Sequence, residues 1–462
     1  MRSLFLFRRD LRLRDNTGLI RALRESDEVI PAFILDPRQT GPHPYRSEPG
    51  LRFMAASLRE LDGELSAKGS RLFLFQGEAE KVVSSLLRSE RLGAVYVNRD
   101  YTPFSRRRDE AIASACREGN AMFVASGDAI LNEPEDVAKA DGTPYSVFTP
   151  FFKASRAIEV RRPRDNPFRN YYAGTIAGDA AVDVLGRVIG DRDIRLFRQG
   201  GRSEALGVLK RIGRLRDYDK TRDLPAAGRT TGLSPHAKFG TISIREFHEA
   251  VGRRLGPGHP ILRQLYWRDF FTHVAFHFDR VFGHPFRAAY EKIAWRTDRR
   301  EFGRWREGTT GFPLVDAGMR QLEATGFMPN RVRMVCASFL VKDLHLDWRE
   351  GERHFATRLV DYDPCVNNGN WQWVASTGCD AAPYFRIFNP WLQQVRHDPD
   401  AAYVKLWVPE LAGAPPGLIH RLDRHEGRRP GGYPAPLVDH AAESLRALTD
   451  YRRARSAARR RA

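Results

Sequence analysis

"SLFLFRRDLRLRDN", residues 3–16, starts apolar and turns abruptly polar. A short apolar run closed by dense charge predicts a buried β-strand at 3–7. It is too short to cross a membrane, and no small-residue cleavage site follows it, so a signal peptide is not expected. The same signature recurs at "EVIPAFIL" (28–35), "RLFLFQ" (71–76), "AVYVN" (94–98) and "AMFVA" (121–125). Amphipathic stretches such as "LRFMAASLRELDGELSAKG" (51–69) lie between them. Strand alternating with helix predicts a parallel, doubly wound, Rossmann-like sheet. The loop after the first strand, "RRDLRLRDN", has no GxGxxG, which argues against a dinucleotide site there.

Beyond this α/β unit the rhythm changes. Residues 131–200 are rich in Pro, Gly and Arg and read as a long connection over the surface. From about 203 the patterns turn helical, as in "SPHAKFGTISIREFHEAV" (234–251) and "LRQLYWRDFFTHVAFHF" (262–278). The expected organisation is an α/β domain over 1–130, a connection over 131–200, a larger all-helical domain over 201–450 and a frayed basic tail over 451–462. The 462 residues allow two or three domains, and a hydrophobic content of 42% is that of a globular protein. No apolar run is long enough to span a membrane. Four cysteines without CxxC spacing argue against structural zinc or a disulfide framework and suit a reducing cytoplasm. A net charge of +18 favours a polyanionic partner, nucleic acid before an anionic membrane. A general excess of arginine over lysine is the competing explanation.

Several stretches could carry chemistry. "GRTTGLSPHAKFG" (228–240) sets Thr230, Thr231 and Ser234 before a helix, where hydroxyls and free N–H groups can hold an anion or simply cap. "RDYDKTRDLP" (216–225) offers Tyr218 and Arg222. "MPNRVRMVCASFLVKDLHLDW" (328–348) brings Asn330, Arg331, Arg333 and Met334. Arg331 and Arg333 are two apart on a helix and face differently. One can reach a phosphate while the other pairs with Asp361 or Asp363. In "DYDPCVNNGNWQW" (361–373), Trp371 and Trp373 likewise cannot share a helical face. The i, i+4 pair His273 and His277 lacks a third ligand and reads as a helix face, not zinc.

The helical half resembles the flavin domain of the DNA photolyase/cryptochrome family. "DYDPCVNNGNWQWVASTGCDAAPYFRIFNP" (361–390), "NRVRMVCASFLVKDLHLDWREGERHF" (330–355), "TGFPLVDAGMRQLEATG" (310–326) and "LYWRDF" (265–270) follow its pattern in order. "FRRDLRLRDN" (7–16) matches the family's first-strand loop. The resemblance runs from residue 2 to about 411 and is greatest to microbial class I cyclobutane pyrimidine dimer photolyases. Six-four photolyases are similar but are expected to carry histidines at "PNRVR".

The resemblance implies FAD, active as FADH⁻, folded inside the helical domain. Tyr218 and the run Thr230, Thr231, Gly232, Leu233 and Ser234 would border it, with hydroxyls on the phosphates. Arg333 would pair with Asp361, Asp363 would contact the cofactor, and Asn367 would face the flavin N5. Trp371, Trp348 and Trp295 would form an electron-transfer chain to the surface, with Trp305 the second choice for its end. Trp373 would stack on the lesion in a pocket completed by Gln264, Trp267, Asn330 and Met334. Arg222, Arg268 and Arg331 would lie near DNA phosphates or the pocket edge. The implied activity is light-driven repair of pyrimidine dimers in UV-damaged DNA by a cytoplasmic monomer. The alternatives are a cryptochrome-type blue-light photoreceptor or a six-four photolyase. Where dimer photolyases carry a glutamate, this chain has Gln264. "NRDYTPFSRRRD" (98–109) resembles members with a deazaflavin antenna, and Ser105 departs from the acidic residue of methenyltetrahydrofolate binders. Arg52 and Asp100 would be the antenna contacts, with a flavin antenna or none still open.

Overall fold

The computed structural model describes residues 1–189, 194–380, 385–425 and 427–459. Five parallel strands form one sheet: β1 (Arg2–Phe7), β2 (Glu28–Leu35), β3 (Phe73–Gln76), β4 (Ala94–Asn98) and β5 (Met122–Ser126), in the order β3-β2-β1-β4-β5. Helices α1 (Thr17–Glu25), α2 (Glu48–Ser66), α3 (Ala79–Ser89) and α4 (Pro103–Glu118) make the crossovers. Alternate residues of β1 enter opposite cores: Phe5 and Phe7 pack toward Leu19 and Phe53, while Leu4 and Leu6 pack toward Phe73 and Val83. Both faces are covered, which is why the strands read as nearly unbroken apolar runs.

The strand order reverses direction between β1 and β4, the place where a doubly wound sheet opens a crevice. The first-strand loop fills it with charge. Arg12 is buried and bonds Asp128 at 2.6 Å. Arg245, from the helical half, reaches Asp15 at 2.8 Å and Asp128 at 2.6 Å. The loop that lacks a phosphate-binding motif is therefore the polar joint between the two halves.

The connection over 131–200 does more than cross the surface. It contains helix α5 (Phe148–Ala157), with Phe148 and Phe151 buried against Phe270. Farther on, Tyr171 bridges Val29 of β2 and is buried. "VFTPFFKA" (147–154) is a small apolar face inside a polar, Pro-rich stretch, and that face holds it down.

The helical half uses α6 (Ser234–Phe239), α7 (Pro260–His277), α8 (Pro313–Thr325), α9 (Asn330–Ser338), α10 (Trp348–Arg358) and α11 (Pro364–Val374) around the site. Proline stands at the first helical position of α7, α8 and α11, where no N–H is needed. Its largest core gathers Trp305, Trp348 and Trp371. The chain closes with α12 (His440–Arg459). The expected frayed arm over 451–462 is thus helical through Arg459, and its last three residues lie outside the described residues. Tyr451 is buried and donates its hydroxyl to the Ala375 carbonyl at 2.6 Å, which anchors the helix.

Candidate functional site

Helix α11 organises the site. Asp363 caps it, one carboxylate oxygen accepting from the Cys365 and Val366 amides at 3.0 and 3.2 Å. Burial alone would raise this carboxyl, but the Arg9 guanidinium and then Lys238 hold it down at about 2. One turn on, buried Asn367 donates its amide to the Glu352 carbonyl at 3.1 Å. Burial lifts the Glu352 carboxyl to about 7.

The two tryptophans of α11 diverge as the helical period requires. Trp371 is buried edge-on to Phe355 and Trp305, with ring centres 4.9 and 6.3 Å away. Gly351 lets it approach: a Cβ there would stand 2.2 Å from the indole. Trp373 is half-buried, with the Arg386 guanidinium 5.2 Å from its ring centre. Gln372 takes a third direction that sequence reading missed. Its amide donates to the Val281 and His284 carbonyls at 2.9 and 3.0 Å and accepts from the Phe286 N–H at 2.7 Å. A glutamine between two tryptophans was the available signal, since a buried primary amide must find several partners.

The hydroxyl run and the arginine helix meet at Asp361. Arg333 donates to Asp361 Oδ2 at 2.9 Å and to the Met328 carbonyl at 2.7 Å. The Ser234 hydroxyl donates to the same Asp361 oxygen at 2.6 Å, so it serves the carboxylate rather than standing free for a phosphate. Asp361 Oδ1 is buried without a hydrogen-bond partner among the described residues. Gly232 sits at φ +61, where a Cβ would stand 2.9 Å from Arg198 and Phe197, and Thr230 and Thr231 are half-buried beside it. Leu233 is buried, and Tyr218 lies under Arg222, 5.8 Å from the ring centre. Arg198 was not expected here. An orphaned buried acceptor, an arginine pair, the half-buried Thr230 and Thr231 hydroxyls and an interior amide fit a cofactor with phosphates, ribose and a hydrogen-bonding ring.

Gln264, Trp267 and Arg222 share one open cleft of about 620 Å³. Trp267 lies flat on Phe148 of α5, centres 3.6 Å apart and planes within 7°. Asn330 and Met334 do not line this cleft; the Asn330 amide turns onto Met334 Sδ at 3.5 Å within α9. Two arginines differ from expectation. Arg268 bonds the Ala129 and Ala237 carbonyls at 2.6 and 3.3 Å, because its half-buried place on α7 faces two chain segments that need donors. Arg331 is held by Asp223 at 2.6 Å.

Of the remaining tryptophans, Trp348 is buried and Trp295 is half-buried, edge-on to Tyr451 at 6.3 Å. Trp305 is wholly buried, its indole N–H bound to the Cys336 carbonyl at 2.9 Å. It cannot be the surface end of a chain, whereas Trp295 is partly exposed. Asp100 is half-buried and bonded to Arg9 at 3.0 Å and to the Ser105 hydroxyl at 2.8 Å, while Arg52 pairs with Glu48 of its own helix at 3.2 Å. His273 and His277 meet edge-on on one face, ring centres 4.5 Å apart, and no group of metal-ligating side chains occurs among the described residues.

Two family models match the chain: DNA photolyase over residues 3–167, and the FAD binding domain of DNA photolyase over residues 261–453. A deoxyribodipyrimidine photo-lyase of Alkalihalophilus pseudofirmus is 35% identical, over 96% of this chain and 97% of that protein. An archaeal photolyase from Sulfolobus tokodaii, solved with two FAD molecules, is 45% identical with a TM-score of 0.88, over 98% of this chain and 100% of that one. A Synechocystis cryptochrome is 28% identical with a TM-score of 0.90, over 97% of this chain and 99% of that one. No described helix is long and apolar enough to cross a membrane. With both halves matched in order and the relatives aligned over nearly their whole length, the chain belongs to the DNA photolyase family, as an enzyme of the deoxyribodipyrimidine photo-lyase type with that family's FAD-binding domain.

Proposed function

We propose that the enzyme repairs cyclobutane pyrimidine dimers in DNA through electron donation from photo-excited FADH⁻. The observation that carries this reading is α11, which turns Asn367 and Trp371 inward and Trp373 outward from one helix. When bound and reduced, FAD supplies the electron that opens the dimer; the protein supplies placement and electrostatics. Arg333 and Ser234 orient Asp361, whose unpartnered buried oxygen would accept a hydrogen bond from the cofactor. Asp363 would hold it from the start of α11. Asn367, its amide N–H turned to Glu352, would offer its amide oxygen to the flavin ring without adding charge. Tyr218, Thr230, Thr231, Gly232 and Leu233 would border the cofactor's phosphates, with Ser234 acting through Asp361. Trp371, Trp348 and Trp295 would pass electrons inward from the surface to reduce oxidised cofactor.

Photolyases are among the enzymes that take their target bases out of the stack. Trp267 would receive the flipped dimer in the cleft it shares with Gln264 and Arg222, while Trp373, Asn330 and Met334, which do not line that cleft, would have to meet the lesion from outside it. Gln264 is a neutral hydrogen-bond partner that can donate and accept but cannot supply a proton. Removing that bond should cost about 1 kcal/mol. Gln264→Ala should therefore lower dimer repair several-fold, while Gln264→Glu stays active.

The fold is shared with a cryptochrome, so the lesion pocket, not the fold, supports repair over signalling. A reduced, illuminated sample acting on oligonucleotides with one cyclobutane dimer or one six-four photoproduct decides the matter. Turnover of the dimer is expected; six-four turnover alone, or none of either, overturns the reading. For the antenna, the Asp100 and Arg52 region favours a deazaflavin, and the archaeal relative's second FAD makes a flavin its competitor. Chromophores released on denaturation distinguish them.

A further inference from the structure

We propose that Arg9 is a positioning residue that couples the antenna-side carboxylate Asp100 to the flavin-side carboxylate Asp363, so that charge at one sets the reduction potential at the other. This rests on the reading of α11 as the flavin helix. The guanidinium sits in the first-strand loop at the crevice between β1 and β4, and each of its nitrogens meets a different element. Nη1 donates to Asp100 Oδ1, just past β4, at 3.0 Å. Nη2 donates to Asp363 Oδ2, at the cap of α11. Nε donates to the Lys238 carbonyl at 3.2 Å, near the end of the helix that follows the hydroxyl run.

All three charged side chains are largely withdrawn from water, with Arg9 15%, Asp100 10% and Asp363 8% exposed. Charges buried together interact far more strongly than they would in solvent. The Asp363 oxygen that takes Arg9 is not the one that caps the helix, so the cap and the ion pair are held by the same carboxylate at once. Lys238 acts on both carboxylates, and Arg8 and Arg108 also face Asp100. The arrangement is a compact buried relay of alternating sign, Asp100–Arg9–Asp363, running from one domain to the other.

The sign follows. Asp100 and Asp363 share one guanidinium, so Asp100 holds one arm of Arg9 away from Asp363. Neutralising Asp100 frees Arg9 to close on Asp363 and brings its charge nearer the start of α11, which favours the reduced, anionic cofactor and raises its potential. A chromophore held at Asp100 would therefore shift the flavin's redox poise besides passing light to it.

The test is a redox titration of FAD in the full-length protein, followed by flavin absorbance, on the wild type, Asp100→Asn, Arg9→Gln and the double variant. Asp100→Asn should raise the fraction reduced at fixed poise several-fold, tenfold being 59 mV for a one-electron step. The same change in the Arg9→Gln background should give less than half that shift. Should Arg9→Gln fail to hold FAD, Arg9→Lys replaces it, since lysine keeps the charge but reaches only one carboxylate. An unshifted potential in Asp100→Asn, or equal shifts in both backgrounds, overturns the coupling. A wild type that holds no FAD overturns the reading of α11 itself.

Discussion

Trp371 and Trp373 leave one helix toward different neighbours, and their neighbours give them different work. Trp371, walled in by Phe355, Trp305 and Gly351, touches only the interior. Trp371→Phe should block photoreduction of oxidised FAD, read as loss of flavin bleaching under blue light with a donor present. It should leave repair largely intact once the flavin is reduced chemically; equal loss in both assays would make Trp371 merely structural. Glu352 gives a second test. The fold prefers its neutral form, with a carboxyl pKa of about 7 against an ordinary 4.5. Its contribution to stability is then full below about 4.5 and is lost as pH rises through about 7, a difference of about 3 kcal/mol. Glu352→Gln should flatten that pH dependence in thermal melts and raise the midpoint at pH 8 relative to wild type. Helical spacing set Arg331 and Arg333 on different faces and made Asp361 or Asp363 the partner of one of them; that the pair is Arg333–Asp361 was legible only through the family resemblance. The Arg9–Asp363 pair was not, because no local period links a first-strand loop to a helix cap in the other half. The other roles of Arg268 and Ser234 were hidden for a similar reason: a backbone carbonyl or a distant carboxylate leaves no trace in residue type.

At the scale of elements, the strands could be read because two covered faces leave nearly pure apolar runs. Helix α5 could not, since Thr149 and Pro150 mark its start as a turn and its outer face is polar. Yet Phe148 of this helix forms the floor under Trp267. Truncating a buried phenylalanine costs about 3–5 kcal/mol. Phe148→Ala should lower the melting temperature and also weaken binding of dimer-containing DNA relative to undamaged DNA. Phe148→Leu should restore most of the stability but not the flat contact with the indole. Binding selectivity that follows stability in both variants would remove Phe148 from the lesion site. The tail was misread for the converse reason. Its basic composition outweighed one face carrying Tyr451 and Ala454, which pack against Tyr290 and Ile293.

For the whole molecule, the charge of +18 makes DNA affinity a matter of salt. Neutralising several phosphates releases counterions, so log Kd should change linearly with log salt. Arg222→Ala, at the cleft edge, should reduce the slope by about one. Arg268→Ala should leave the slope alone and lower stability, because its guanidinium faces carbonyls; fluorescence anisotropy over a salt series separates the two. The joint between the halves has a further consequence, in time. Arg9 and Asp363 lie 354 residues apart in the chain. At about 5–20 residues per second, synthesis separates them by tens of seconds. The α/β half emerges first, with time to fold around its own sheet, where Arg9 pairs with Asp100 and keeps its second arm open at the crevice. When α11 is made, its cap meets a partner already in place. A chain stalled before residue 363 should thus present a folded sheet with an open, charged edge, the form in which a chaperone would first meet this protein.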